Sequence, residues 1–120
     1  MLVFVFLALL VLGVSMIFSH DKPIEALLDF GLVATLRDYP YKVGSRVKVK
    51  VKDVGVVYGR IEDVIERPSR IDLEIYVHIS GFDSVKKWVK TARELHGKKP
   101  KYLVVVSVPK QKLREMVRNG

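Results

Sequence analysis

Arg46-Val47-Lys48-Val49-Lys50-Val51-Lys52 alternates without a break, valine on one face and a cation on the other. A period of two belongs to a strand with one buried and one wet face, because successive side chains of an extended chain point to opposite sides. The valines need a core, so Arg46, Lys48, Lys50 and Lys52 line up on the far side. Gly44-Ser45 punctuates the chain before this strand, and Gly55 turns it into Val56–Ile65, read as a second strand of the same sheet. Pro68-Ser69 breaks that strand. Ile71–Ile79 then alternates again and reads as a further strand, with Asp72, Glu74, Tyr76 and His78 outward.

Working outward, Met16–His20 reads as an opening strand and Asp21-Lys22-Pro23 as a helix start, an acid at the cap and proline near the first helical position. Ile24, Leu27 and Leu28 give that helix, residues 23–30, one apolar face, and Gly31 stops it. Leu32–Arg37 follows as a short strand ended by Pro40. Val85, Trp88, Val89, Ala92 and Leu95 fall at helical spacing after a Ser84 or Asp83 cap, with Trp88 inward and Gly97 as the stop. Tyr102–Val108 is an unbroken apolar run of strand length, as expected of a strand buried on both faces. Lys110–Gly120 reads as a short helical tail with Leu113, Met116 and Val117 inward. The order β-α-β-β-β-β-α-β is an α+β, mostly β architecture: a small mixed barrel with two flanking helices and that tail.

The chain has room for one core and is globular rather than disordered, with 49% apolar residues. It has no cysteine, which excludes disulfides and thiolate metal sites, and His20, His78 and His96 lack metal-ligand spacing. No metal and no cofactor are expected. The net charge of +8 is unevenly spread. Val85–Gly120 holds eleven Lys and Arg against Glu94 and Glu115, whereas Asp53–Asp83 holds seven acids and three arginines. A basic end of this kind favours a polyanionic partner, nucleic acid first and an anionic membrane second. The plain alternative is a solvated lysine-rich surface.

Met1–Phe18 carries no charge. A membrane-spanning helix takes about 20 apolar residues, and nothing basic precedes this run as it would in a secretory signal. If Met16–His20 is a strand of the domain, residues 1–15 are either an upstream extension, with Met16 as the initiator, or a membrane anchor. Both readings put the folded part in the cytoplasm, the second because downstream cationic clusters stay on that side.

Three pieces of sequence carry a resemblance. Thr35-Leu36-Arg37 ends the segment after the first helix, Tyr41-Lys42-Val43-Gly44-Ser45 turns into the charged strand, and Gly81-Phe82-Asp83-Ser84 opens the Trp88 helix before a valine-rich closing strand. In this order they resemble the ASCH family of PUA-like β-barrels over residues 16–108, leaving 109–120 as a basic tail. The resemblance implies a domain that binds RNA or a nucleotide-like ligand in a cleft between the first helix and the barrel. Some ASCH proteins are amidohydrolases that deacetylate modified cytidine with a lysine, a threonine and a glutamate. Here Leu32 stands at the lysine position and Ser80 at the glutamate position; only Thr35 survives. Without a neighbouring base a threonine hydroxyl is not activated, so binding without catalysis is the expected function and hydrolysis of a modified nucleoside the alternative.

The expected ligand residues are Thr35, Arg37, Tyr41, Lys42, Ser45 and Arg46. Arg37 suits a bidentate contact to phosphate or a base edge, unless Asp38 or Glu62 claims it as an ion pair. Lys42 and Arg46 flank a turn whose amides are placed to face an anion, and Tyr41 suits stacking on an unpaired base. Lys48, Lys50, Lys86 and Lys90 form a secondary basic surface. A membrane-anchored basic domain is the third reading.

Overall fold

In the computed structural model, which describes residues 14–120, five strands make one sheet in the order β1-β3-β4-β5-β2. They are β1 (Val14–Phe18), β2 (Leu32–Arg37), β3 (Arg46–Val51), β4 (Gly55–Glu66) and β5 (Tyr102–Ser107). Four helices accompany them among the described residues: α1 (Asp21–Phe30), α2 (Arg70–Tyr76), α3 (Val85–His96) and α4 (Lys110–Asn119). The domain is α+β, and its mixed sheet curls into a half-barrel. β1 pairs parallel with β3 and every other pair is antiparallel.

The long strand β4 makes the curl. Its first half, Gly55–Arg60, pairs with β3, and its second half, Arg60–Glu66, pairs with β5. A register break between Ile61 and Asp63 bends it just past the change of neighbour, as a bulge does. The concave face gathers the main core: Val47, Val49 and Val51 from β3 meet Met16, Phe18, Val33, Val57, Ile61, Val104 and Val106, and Leu27 of α1 and Leu113 of α4 cover them. The alternation in β3 therefore sorts as its spacing implies, valines in and cations out.

A second, smaller core lies on the convex face. Ala34, Leu36, Leu103 and Val105 from β2 and β5 pack under Leu73, Trp88 and Ala92 of α2 and α3. Strand β5 is thus buried on both faces, as its unbroken apolar run requires. Gly31 closes α1 at φ 65°, donating its N–H to Leu27.

Residues 71–79 correct the expected strand: they form α2 and a 3-10 turn, Val77–Ile79. The cause is local. Ser69 Oγ accepts from the Asp72 N–H at 3.1 Å, and Asp72 Oδ2 accepts from the Ser69 N–H at 2.8 Å, a reciprocal cap that starts a helix directly after Pro68. The helix turns Leu73, Tyr76 and Val77 inward and leaves Ile71 and Ile75 exposed, so the odd-numbered apolar positions are split between two faces. The N-cap of α1 also differs from expectation. It is His20, whose Nδ1 accepts from the Lys22 N–H at 3.1 Å, with Asp21 in the first turn.

β1 takes in Val14 and Ser15 as well as Met16–Phe18. The expectation of an extension or anchor falls mainly on residues 1–13, outside the described residues. Among those described, no helix is long and apolar enough to cross a membrane.

Replacing Ser69 by Ala removes one arm of the α2 cap and is expected to cost about 1 kcal/mol. Urea unfolding followed by circular dichroism measures it; an unchanged midpoint would mean that packing of Leu73 alone fixes α2.

Candidate ligand cavity at the barrel seam

A sheet that curls without closing leaves two edges, here β1 and β2. Along β1 the Phe18 carbonyl accepts from the Lys52 N–H at 2.9 Å, toward β3. Neighbouring carbonyls of a strand point to opposite sides, so those of Ser15 and Ile17 face the open seam. Side chains from across the gap reach them. Arg37, the last residue of β2, donates from Nη2 to the Ile17 carbonyl at 2.9 Å and from Nε to Thr35 Oγ1 at 3.0 Å. The Tyr41 hydroxyl donates to the Ser15 carbonyl at 3.2 Å. The Arg37 guanidinium also lies 4.7 Å from the centre of the Phe18 ring.

Arg37 makes no ion pair with any described residue. The expected alternative partners are engaged elsewhere. Asp38 Oδ1 accepts from the Lys101 N–H, and Glu62 accepts from the Ser107 hydroxyl and sits 4.0 Å from Arg60. Burial pushes the Arg37 proton affinity below its ordinary value, with nearby Tyr41 opposing. A guanidinium stays charged regardless, so β2 ends in a half-buried cation with no carboxylate of the described residues within ion-pair distance.

Beside this cation a cavity of about 240 Å³ opens between the end of β1, the N-terminus of α1 and the inner side of α3. Trp88, Phe82 and Leu95 give it apolar walls, and His20, His96 and Thr91 polar ones. The loop that closes one end is tightly built. The Ser80 hydroxyl donates to the Val77 carbonyl at 2.6 Å and accepts from the Phe82 N–H at 3.0 Å. Gly81 takes φ 88° against the Lys22 carbonyl, where a Cβ has no room. Phe82 is thereby set 5.3 Å from the His20 ring, centre to centre. The lining contains no carboxylate and no lysine. Among the described residues no group of three His, Asp or Glu could hold a metal ion.

The expected single cleft is two hollows. Thr35 and Arg37 line the seam cavity, whereas Tyr41, Lys42, Ser45 and Arg46 line a separate one of about 170 Å³ with Tyr39 and Pro40. Tyr41 links them through its bond to β1. The turn amides do not face an anion: the Gly44 N–H donates to the Ile61 carbonyl, as β3–β4 pairing continues into the turn, and the Ser45 N–H donates to the Lys42 carbonyl within the turn itself. The Ser45 hydroxyl is likewise used, donating to the Lys42 carbonyl at 2.6 Å. Leu32 is half-buried against the convex core and Ser80 is wholly buried. Lys48 and Lys50 stand on the outward face of β3, and Lys86 and Lys90 line a groove between α2 and α3, away from the cavity.

The sequence pointed to Thr35 and Arg37 but not to Phe82, His20, Thr91 or His96. Trp88 was expected in the core, where it is, and it also lines the cavity. Its face of α3 continues through Thr91 and Leu95, one apolar-to-polar stripe that marks a wall rather than a packed centre. No family model matches the chain, and no match was found among curated proteins or solved structures.

Two outcomes follow from this geometry. Gly81→Ala is expected to cost about 2–4 kcal/mol, from the left-handed backbone and the lost room beside Lys22, by thermal or urea unfolding. The Tyr41 phenol is raised above its ordinary 10.0 mainly by burial, Arg37 opposing and Tyr39 adding. The folded chain then holds that proton more tightly than the unfolded one, so stability falls as pH rises past 10.0. Tyr76, raised mainly by its hydrogen bond to Asp63, acts in the same sense. Urea midpoints across this range should decline less steeply in Tyr41→Phe than in the wild type; equal slopes would contradict it.

Proposed function

We propose that the chain is a PUA-like domain of ASCH type that binds RNA or a nucleotide-like ligand in the seam cavity, without catalysing a reaction. The observation that carries this is Arg37. Two of its five N–H donors hold β1 and Thr35, and the rest remain for a ligand. A half-buried guanidinium without a carboxylate is a costly group that an anionic ligand would compensate. Aromatic and histidine side chains beside it suit a base, which proteins that read unpaired nucleotides hold by stacking and edge hydrogen bonds. The basic balance of the whole chain supports the same partner class. The order of the first elements, a short strand, a helix and a strand ending in Thr35-Leu36-Arg37, supports the PUA-like assignment.

The hydrolytic alternative has less to draw on. The Thr35 hydroxyl accepts a hydrogen bond from a cation, and neither a lysine nor a carboxylate lines the cavity with it. His20 and His96 share the cavity, but the recorded hydrogen bond of that hydroxyl is to Arg37, so no base is seen in place to take its proton.

Trp88 is the chain's single tryptophan and lines the cavity, so its emission reports entry there and not at a remote basic surface. Titration with adenosine and cytidine monophosphates and with short single-stranded RNA is expected to change that emission saturably, with weaker binding at higher salt. An unchanged spectrum up to millimolar nucleotide and with RNA would overturn the assignment of this cavity.

A further inference from the structure

We propose that a single strand of nucleic acid anchored in the seam cavity leaves it across β1 and runs over the bare convex face of β3 and β4, held by Lys50, Lys48 and the Arg46–Tyr58 stack. This rests on the nucleotide reading of the cavity and extends it from one nucleotide to a strand.

The two halves of the convex face differ. α2 and α3 cover the residues of β2 and β5, whereas the outward residues of β1, β3 and the first half of β4 take no part in that core. Ile17, Val56 and Tyr58 are 57%, 40% and 47% exposed. The bare half adjoins the cavity, because Ile17 lines the cavity and stands in register with Lys50. From there the register leads on to Lys48 beside Tyr58 and to Arg46 beside Arg60. Outward residues of one strand stand about 6.6 Å apart, a regular ladder of cations suited to an extended phosphate backbone.

A role in guarding a sheet edge does not explain the ladder, since β3 lies between β1 and β4 and has no free edge. Solubility would account for the cations but not for the exposed Tyr58 and Val56 set among them. The Arg46 guanidinium lies 4.0 Å over the Tyr58 ring, a stacked pair on which a base can stack in turn. The outward positions of β3 carry no acid, and the first carboxylate met along β4 is Glu62, held by Arg60 and Ser107. An anionic lipid surface would meet the same charges, but a face that leads into an aromatic-walled cavity fits a strand of separate bases better than a sheet of headgroups.

The test compares the full chain with Lys48→Gln/Lys50→Gln, and with the same pair plus Tyr58→Ala, at about 50 and 200 mM salt. Adenosine monophosphate is followed by Trp88 emission, and fluorescein-labelled oligoadenylates of two, four and eight nucleotides by anisotropy. Phosphatidylserine vesicles form a separate arm. Affinity is expected to rise with oligonucleotide length in the wild type. The lysine pair should lower octanucleotide affinity roughly tenfold and flatten its salt slope by about 1.4, two phosphates at about 0.7 each. Mononucleotide binding should not change, which also shows that the variants fold. An octanucleotide that binds no tighter than a dinucleotide, or equally well to the variants, removes the track and leaves the cavity reading intact. Failure of the mononucleotide and every oligonucleotide removes both. Vesicle binding without oligonucleotide binding overturns the track in favour of a membrane surface.

Discussion

An open half-barrel must do something about its two unpaired edges, and here one side chain does most of it. Arg37 ends β2 and reaches over the seam to a carbonyl of β1, while the same guanidinium takes Thr35 as a second acceptor. A third contact, to the Phe18 ring, ties it to the concave core. The edge of β1 therefore meets donors from its own chain rather than an unsatisfied row open to another strand. The curl set by the bent β4 brings the edges near enough for this, and α1, which links β1 to β2, holds them at that spacing.

The same requirement leaves a charged group beside a cavity. A guanidinium that serves two neutral oxygens keeps its charge and several donors, and no carboxylate takes them up. The cavity exists because α3 covers β2 but stops short of β1, leaving Trp88, Thr91 and Leu95 facing the seam. Gly81 then lets the preceding loop fold tightly against the start of α1, which sets Phe82 beside His20. On the proposed reading, a ligand at Arg37 would bear on the same hydrogen bonds that hold the sheet edges.

Much of this was legible in residue pattern. The alternation of Arg46–Lys52, the apolar run at Tyr102–Val108 and the glycine stops at Gly31 and Gly97 each specify an element through local physics, and each formed. Ile71–Ile79 misled because period-two alternation in a short segment is overruled by a capping box, and Ser69 and Asp72 were the signal that should have prevailed. At the site, Arg37 stood out because it ends a strand, and Thr35 through the resemblance to the ASCH motif. Tyr41, Lys42, Ser45 and Arg46, close to them in sequence, were expected to join them. Continued β3–β4 pairing instead spends the Gly44 amide, a local turn bond to Lys42 spends that of Ser45, and Tyr41, Lys42, Ser45 and Arg46 line a separate hollow. His20, Phe82 and His96 come together only through the packing of α1 and α3 around the seam, a long-range arrangement that no local spacing encodes.

The most direct measurement is Arg37→Lys in the full chain, read by amide hydrogen exchange over β1 and by nucleotide binding on the same samples. Lysine keeps the charge but cannot reach Thr35 and Ile17 together from one rigid fork. Exchange over β1 should quicken roughly tenfold and affinity fall roughly tenfold, corresponding to a loss of about 1–2 kcal/mol in each, while protection in β4 and β5 holds. Unchanged protection of β1 together with unchanged binding would contradict the claim that one guanidinium both clasps the seam and receives the ligand.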